Sequence, residues 1–237
     1  MGERRGGLSS NALKVIAIAA MTIDHLAWTL AEGYSTHPLV LIMHIIGRLT
    51  APIMIFLLCE GFYHTRNIKS YIIRLFILAF VSHFAYCFAF DIPFMPFTSG
   101  LLNQTGVIWG YAWGLILLYV FNMERLPSYI KVLALVGVCV ITLPADWSCI
   151  GALGVLFMGV NRGDVNKQFM WFCVLAVSYA AVYCLFVDTV YGLLQLFVVL
   201  AFPLIRMYNG KKGRGGRFMK YFFYVYYPAH LFLCGLI

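Results

Sequence analysis

Long apolar runs dominate the chain, separated by short segments that carry its charges, prolines and turn-forming residues. A helix needs about 20 apolar residues to cross a bilayer. Nine candidate spans are read, at roughly 12–32, 38–63, 70–91, 101–121, 128–144, 147–161, 168–186, 189–207 and 218–237. The first follows Ser9, Ser10 and Asn11, side chains that cap helix N-termini well. Pro38, Pro127 and Pro203 fall at or near span ends, where a missing N–H is tolerated. The fifth and sixth runs are short, and Pro144-Ala145-Asp146 divides them; two short spans or one re-entrant hairpin fit equally. Neither an internal repeat nor a pair of broken helices is read. The expected fold is therefore all-α, a polytopic transmembrane bundle in one domain, 1–237.

Composition reinforces this. Of the 237 residues 62% are hydrophobic and 11% charged, against about 25% charged in a typical soluble domain. Water cannot be the solvent for so much apolar surface, so a lipid bilayer is the expected partner. The first run, Leu13 to Ala31, is too long for the apolar part of a signal peptide and lacks a small-residue cleavage site, so it is expected to remain as a helix. A net charge of +8 raises nucleic acid as a ligand, but the distribution argues against it. Arg4, Arg5 and Lys14 precede or open the first span; Arg66, Lys69 and Arg74 lie about the second connection. Arg125 and Lys131 lie about the fourth, and Arg162 and Lys167 about the sixth. Arg206, Lys211, Lys212, Arg214, Arg217 and Lys220 lie about the eighth. The odd-numbered connections carry only Glu32, Asp91, Asp146 and Asp188. Cations concentrate on the cytoplasmic side of membrane proteins, so the N-terminus is expected there and, with nine spans, the C-terminus outside. The localisation expected is a multi-pass cell membrane protein.

One basic residue is left over. Arg48 lies about ten residues inside the second span, about 15 Å deep at the helical rise. Asp24 and His25 reach a similar depth in the first span, His83 in the third and His230 in the ninth; His44 sits one turn outward from Arg48 on the same face. Charged groups at mid-bilayer are costly and mark function by default. Asp24 could pair with Arg48 and merely fasten two helices. It could also orient His25 as a general base, although neighbours in sequence differ by about 100° around a helix. Glu60 closes the second span and leads into His64-Thr65-Arg66-Asn67-Ile68-Lys69, where Arg66 and Lys69 suit phosphate as well as ordinary membrane anchoring. The seven cysteines are scattered, with no C-x-x-C pair, so neither a metal site nor a disulfide framework is read.

Several of these segments resemble one family. Leu13-Lys14-Val15-Ile16-Ala17-Ile18-Ala19-Ala20-Met21-Thr22-Ile23-Asp24-His25 looks like the opening of the TraX family. Ile46-Gly47-Arg48-Leu49-Thr50-Ala51-Pro52-Ile53, Glu60-Gly61-Phe62, His64-Thr65-Arg66-Asn67 and Phe223-Tyr224-Val225-Tyr226-Tyr227-Pro228-Ala229-His230-Leu231 match it in turn. That family is named for a protein that N-acetylates conjugative pilin, and it is similar to the polytopic membrane acyltransferases that use cytoplasmic acetyl-coenzyme A. The resemblance implies a membrane acetyltransferase with acetyl-coenzyme A as co-substrate and no metal. Its acceptor would be a pilin-type N-terminus or a cell-surface glycan. The matching positions are Asp24, His25, Arg48, Glu60, His64, Arg66 and His230.

On this expectation His25 is the base, with His230 its competitor. Arg48 faces the oxyanion, and Asp24 holds one of them in place. Arg66 and Lys69, with His64 and Glu60 beside them, take the coenzyme A phosphates, and the 211–217 loop is the second choice. A small-solute or proton-coupled transporter is the rival enzyme-free reading, since intramembrane Asp, His and Arg also serve relays. A membrane scaffold is the third.

Overall fold

The apolar runs form helices almost throughout. The structure, a computed structural model, describes residues 7–31, 33–95, 98, 100 and 102–237, without the side chains of Arg217 and Lys220. Arg4, Arg5 and Glu32, used in the charge pattern above, lie outside the described residues. In order, the helices are α1 (Ser10–Leu30), α2 (Pro38–Gly47), α3 (Thr50–His64), α4 (Ile68–Ala89), α5 (Val107–Phe121), α6 (Ser128–Thr142), α7 (Ser148–Val160), α8 (Val165–Phe186) and α9 (Thr189–Leu194). A 3₁₀ stretch (Gln195–Ala201), α10 (Phe202–Arg206) and α11 (Gly216–Cys234) complete the chain. Among the described residues there is no strand, only two isolated bridges. Among the described residues five helices are long and apolar enough to cross a membrane: Ser10–Leu30, Pro38–His64, Ile68–Ala89, Val165–Phe186 and Thr189–Arg206. The faces they leave uncovered suit lipid. On α4, Ile73, Ile77, Phe80, Phe84 and Phe88 recur at helical spacing and are all exposed.

Local chemistry explains the ends. Ser9 caps α1, its Oγ accepting from the Ala12 N–H at 3.2 Å. Asn67, Asp164 and Asp188 cap α4, α8 and α9 in the same way. Two spans read as unbroken are irregular. Between α2 and α3 the chain makes a turn at Arg48–Leu49, because Pro52 cannot donate to the Arg48 carbonyl and its ring would crowd it. The eighth span tightens into its 3₁₀ stretch ahead of Pro203, for the same reason. The expectation that no pair of broken helices exists is thus corrected. The fourth span is also shorter than read. Gln104 and Thr105 stay out of α5 because their backbone bonds go to Pro144 and Asp146, at 2.7 Å in two cases.

The chain divides into two compact units. The first holds residues 1–57, 163–226 and 237; the second holds 58–162 and 227–236. In the first, α1 packs on α2, and α8 on α9 and the 3₁₀ stretch. In the second, α5 packs chiefly on α7, with α4 and α6 alongside. Small residues permit this close approach. A Cβ on Gly114 would press on Val155 and Ala152, and one on Gly159 would collide with Leu118.

Candidate active site

Arg48 stands at the irregular turn, its backbone N–H bonded to the carbonyls of His44 and Ile45. Its side chain and that of His44 project from neighbouring turns of one helix face, and both are buried. Opposite them on α1 is Asp24. His44 Nδ1 lies 2.9 Å from Asp24 Oδ1, and an Arg48 terminal nitrogen lies 3.9 Å from the same oxygen. With Asp24 ionised, His44 donates from Nδ1, and the lone pair of the neutral ring is on Nε2. That Nε2 is buried and has no hydrogen-bond partner among the described residues, and the same is true of Arg48 Nε.

Backbone geometry makes the cluster possible. A Cβ on Gly47 would collide with the Asp24 side chain, so glycine is what lets α1 seat its carboxylate against α2. Thr50 Oγ1 donates to the Ala17 carbonyl at 3.1 Å and fastens the next turn. Around His44 stands an aromatic wall. Trp28 lies 4.7 Å and Tyr191 5.1 Å away, ring centre to ring centre, and Tyr34 closes on both aromatics. Tyr191 is held by its N–H to Asp188 and its hydroxyl to the Ser35 carbonyl. Burial, and then the nearby charge of Asp188, push the Tyr34 phenol up, so it stays neutral.

Asp24 is hydrogen-bonded to His44, with Arg48 beside it, while its sequence neighbour His25 is half-buried at the next position of α1. His44 had a sequence signal, its i, i+4 spacing from Arg48, but nothing in the spacing revealed that Asp24 reaches it. His230 belongs to the second unit, buried 5.5 Å from the Tyr227 ring. His83, also in that unit, is held by Thr105 at 3.1 Å and by the Phe94 carbonyl at 2.9 Å, a half-buried histidine in a structural setting.

The second unit also holds the expected phosphate segment. Glu60 meets Arg162 in a two-pronged ion pair, at 2.7 and 3.1 Å, and the guanidinium lies over the Tyr63 ring. His64 donates to the Glu60 carbonyl at 2.7 Å. Glu60 and His64 are thus occupied within the protein. Arg66 and Lys69 are exposed and make no side-chain hydrogen bond or ion pair among the described residues, which leaves them open to an anion. Arg162, sixth-connection cation in the charge pattern, was not foreseen as the partner of Glu60. The separation of 102 residues hides it.

The chain is 28% identical to a probable fimbrial assembly protein, FimC of serogroup H1, from Dichelobacter nodosus, over 98% of this chain and 96% of that one. No solved structure matches it. The TraX protein family matches residues 9–237, a stretch that includes Asp24, His44 and Arg48. A membrane-helical chain matched over nearly its whole length in this way belongs to the TraX family.

Proposed function

We propose that this protein is a membrane-embedded acetyltransferase that moves acetyl from cytoplasmic acetyl-coenzyme A to an amine or hydroxyl. The observation that carries this reading is the Asp24–His44 hydrogen bond, which leaves a buried, unpartnered Nε2 beside Arg48. An Asp-oriented imidazole is the arrangement of a general base. His44 Nε2 takes the proton of the acceptor as its nitrogen or oxygen attacks the thioester carbonyl. Arg48 faces the resulting oxyanion. As the carbonyl re-forms, the carbon–sulfur bond breaks and the coenzyme A thiolate takes the proton back from His44. Arg66 and Lys69 hold the coenzyme A phosphates, and the 211–217 loop is the alternative seat. His25 and His230 remain the competing bases. The acceptor is a pilin-type N-terminus or a surface glycan, and the fimbrial relative favours the first.

The topology that accompanies this mechanism has nine spans, with the N-terminus in the cytoplasm, counting α5, α6, α7 and α11 beside the five long helices. Purified protein incubated with labelled acetyl-coenzyme A and a candidate pilin peptide tests the activity. Label should pass to the peptide. No transfer to any amine or hydroxyl acceptor, with the coenzyme A unbound, sinks the reading.

A second reading has one specific observation in its favour. Two spans are interrupted, at Arg48–Leu49 and over Gln195–Ala201, and interrupted helices at mid-membrane build transporter sites. Solute flux in proteoliposomes without acetyl transfer would establish it.

A further inference from the structure

Resting on the acetyltransferase reading, we propose that Gln195 determines the class of acceptor: its side-chain oxygen takes the second N–H of an attacking primary amine.

Gln195 opens the 3₁₀ stretch and is 3% exposed. Its Nε2 donates to the Tyr191 carbonyl, one turn earlier, at 3.1 Å. A carbonyl can only accept, so the amide is fixed with its nitrogen on the backbone and its oxygen on the other branch. That Oε1 is buried and has no hydrogen-bond partner among the described residues. A buried amide oxygen left in this way is costly, and in a native fold it calls for a partner.

The level of Gln195 in the fold shows what that partner touches. Two segments run past α1 in the same direction. One goes from His44, at Asp24, to Thr50, at Ala17. The other goes from Tyr191, whose ring centre is 5.2 Å from that of Trp28, to Met207, whose carbonyl accepts from the Leu8 N–H at 2.8 Å. His44 and Tyr191 stand 5.1 Å apart, ring centre to ring centre. One turn on from His44 is Arg48, and one turn on from Tyr191 is Gln195. Parallel travel therefore brings Gln195 to the level of Arg48. His44 Nε2, Arg48 Nε and Gln195 Oε1, all buried and without hydrogen-bond partners among the described residues, share this layer of the first unit.

Their chemistry is two acceptors and one donor. With Asp24 ionised, His44 Nε2 carries a lone pair, Arg48 Nε–H donates and Gln195 Oε1 accepts. The complement is a group with two hydrogens beside an oxygen. A neutral primary amine attacking a thioester carbonyl is such a group. Its lone pair forms the carbon–nitrogen bond, and the carbonyl electrons move to the oxygen, which faces Arg48. His44 removes one proton. The carbonyl then re-forms, the carbon–sulfur bond breaks, and that proton passes from His44 to the departing thiolate. The second hydrogen stays on nitrogen, bonded to Gln195 Oε1, and becomes the N–H of the amide product. A hydroxyl has one hydrogen, which His44 takes, so Gln195 Oε1 stays unpaired. A site that hydrogen-bonds a substrate N–H rejects the analogue lacking it for this reason.

Full-length protein in detergent, with labelled acetyl-coenzyme A, tests this on peptides that differ in one group: a free N-terminal amine, its N-methyl counterpart and its hydroxyl counterpart. The parent should favour the primary amine in kcat/KM by roughly tenfold or more over each. The methyl adds bulk and the hydroxyl does not, so a shared deficit points to the missing hydrogen. Gln195→Met keeps the side-chain length and removes the amide. It should lose roughly tenfold on the primary amine and much less on the two analogues, so that the gap closes. A purely structural role would lower all of them in proportion, and that result overturns the proposal. So does a parent that uses the peptides equally, a measurement that needs no variant to fold. No transfer by the parent to any of them, with coenzyme A unbound, sinks the acetyltransferase reading itself and the role of Gln195 with it.

Discussion

His44 and Asp24 are joined at 2.9 Å across α2 and α1, twenty residues apart in a chain where His25 is the sequence neighbour of Asp24. The base we propose is accordingly His44. His44→Ala should lower turnover by about a hundredfold or more, with coenzyme A affinity little changed. His25→Ala and His230→Ala should keep a larger share of activity. Side-by-side rates with labelled acetyl-coenzyme A decide this, and near-normal turnover in His44→Ala returns the role to one of the other two.

Gly47 is the companion test. Any side chain there meets the Asp24 carboxyl, so Gly47→Ala should cost about 1–3 kcal/mol, as overpacking does. It should also push α1 from α2 and reduce activity. Gly137→Ala in α6 is the control, because a Cβ there meets nothing within 4 Å. Melting temperatures of the two variants in one detergent give the comparison, and equal losses would remove the special role of Gly47.

The Glu60–Arg162 pair predicts a modest coupling. The geometry is two-pronged, but the Arg162 side chain is 38% exposed, so water screens much of the attraction. A double-mutant cycle of Glu60→Gln and Arg162→Gln should return about 1 kcal/mol or less. A coupling several times larger would mean that the pair is shielded from water.

Arg66→Ala and Lys69→Ala should each weaken coenzyme A binding by roughly tenfold, the value of one charge-assisted bond to phosphate. Neither should lower the melting temperature, since both side chains are exposed. Equilibrium binding measures the first and thermal unfolding the second. Unchanged affinity in both, with loss on substitution of Lys211 and Lys212, would move the phosphates to the 211–217 loop.

Asp164 gives a pH signature. The Lys167 N–H at the start of α8 holds its carboxyl below the usual carboxylate range. A group depressed on folding stabilises above its unfolded pKa, and that contribution fades as pH falls through the folded value. Asp164→Asn should therefore flatten the acid limb of the melting temperature against pH. A parallel limb in the variant would show that the cap does not titrate.

What the chain order determined is the part set by period and composition. Apolar runs of span length can be satisfied only as helices in lipid, and their starts at Ser9, Asn67, Asp164 and Asp188 carry side chains that cap helices locally. Asp24 and Arg48 stood out because a charge at that depth is costly wherever it points. Tertiary packing decided the rest. A helix repeats about every 3.6 residues, so adjacency in sequence sends Asp24 and His25 to different faces, and only the seating of α1 on Gly47 chooses His44. Glu60 with Arg162 follows the same rule. That pair is made by chain reversals whose directions depend on how small residues let helices approach, and no single helix's pattern contains that information.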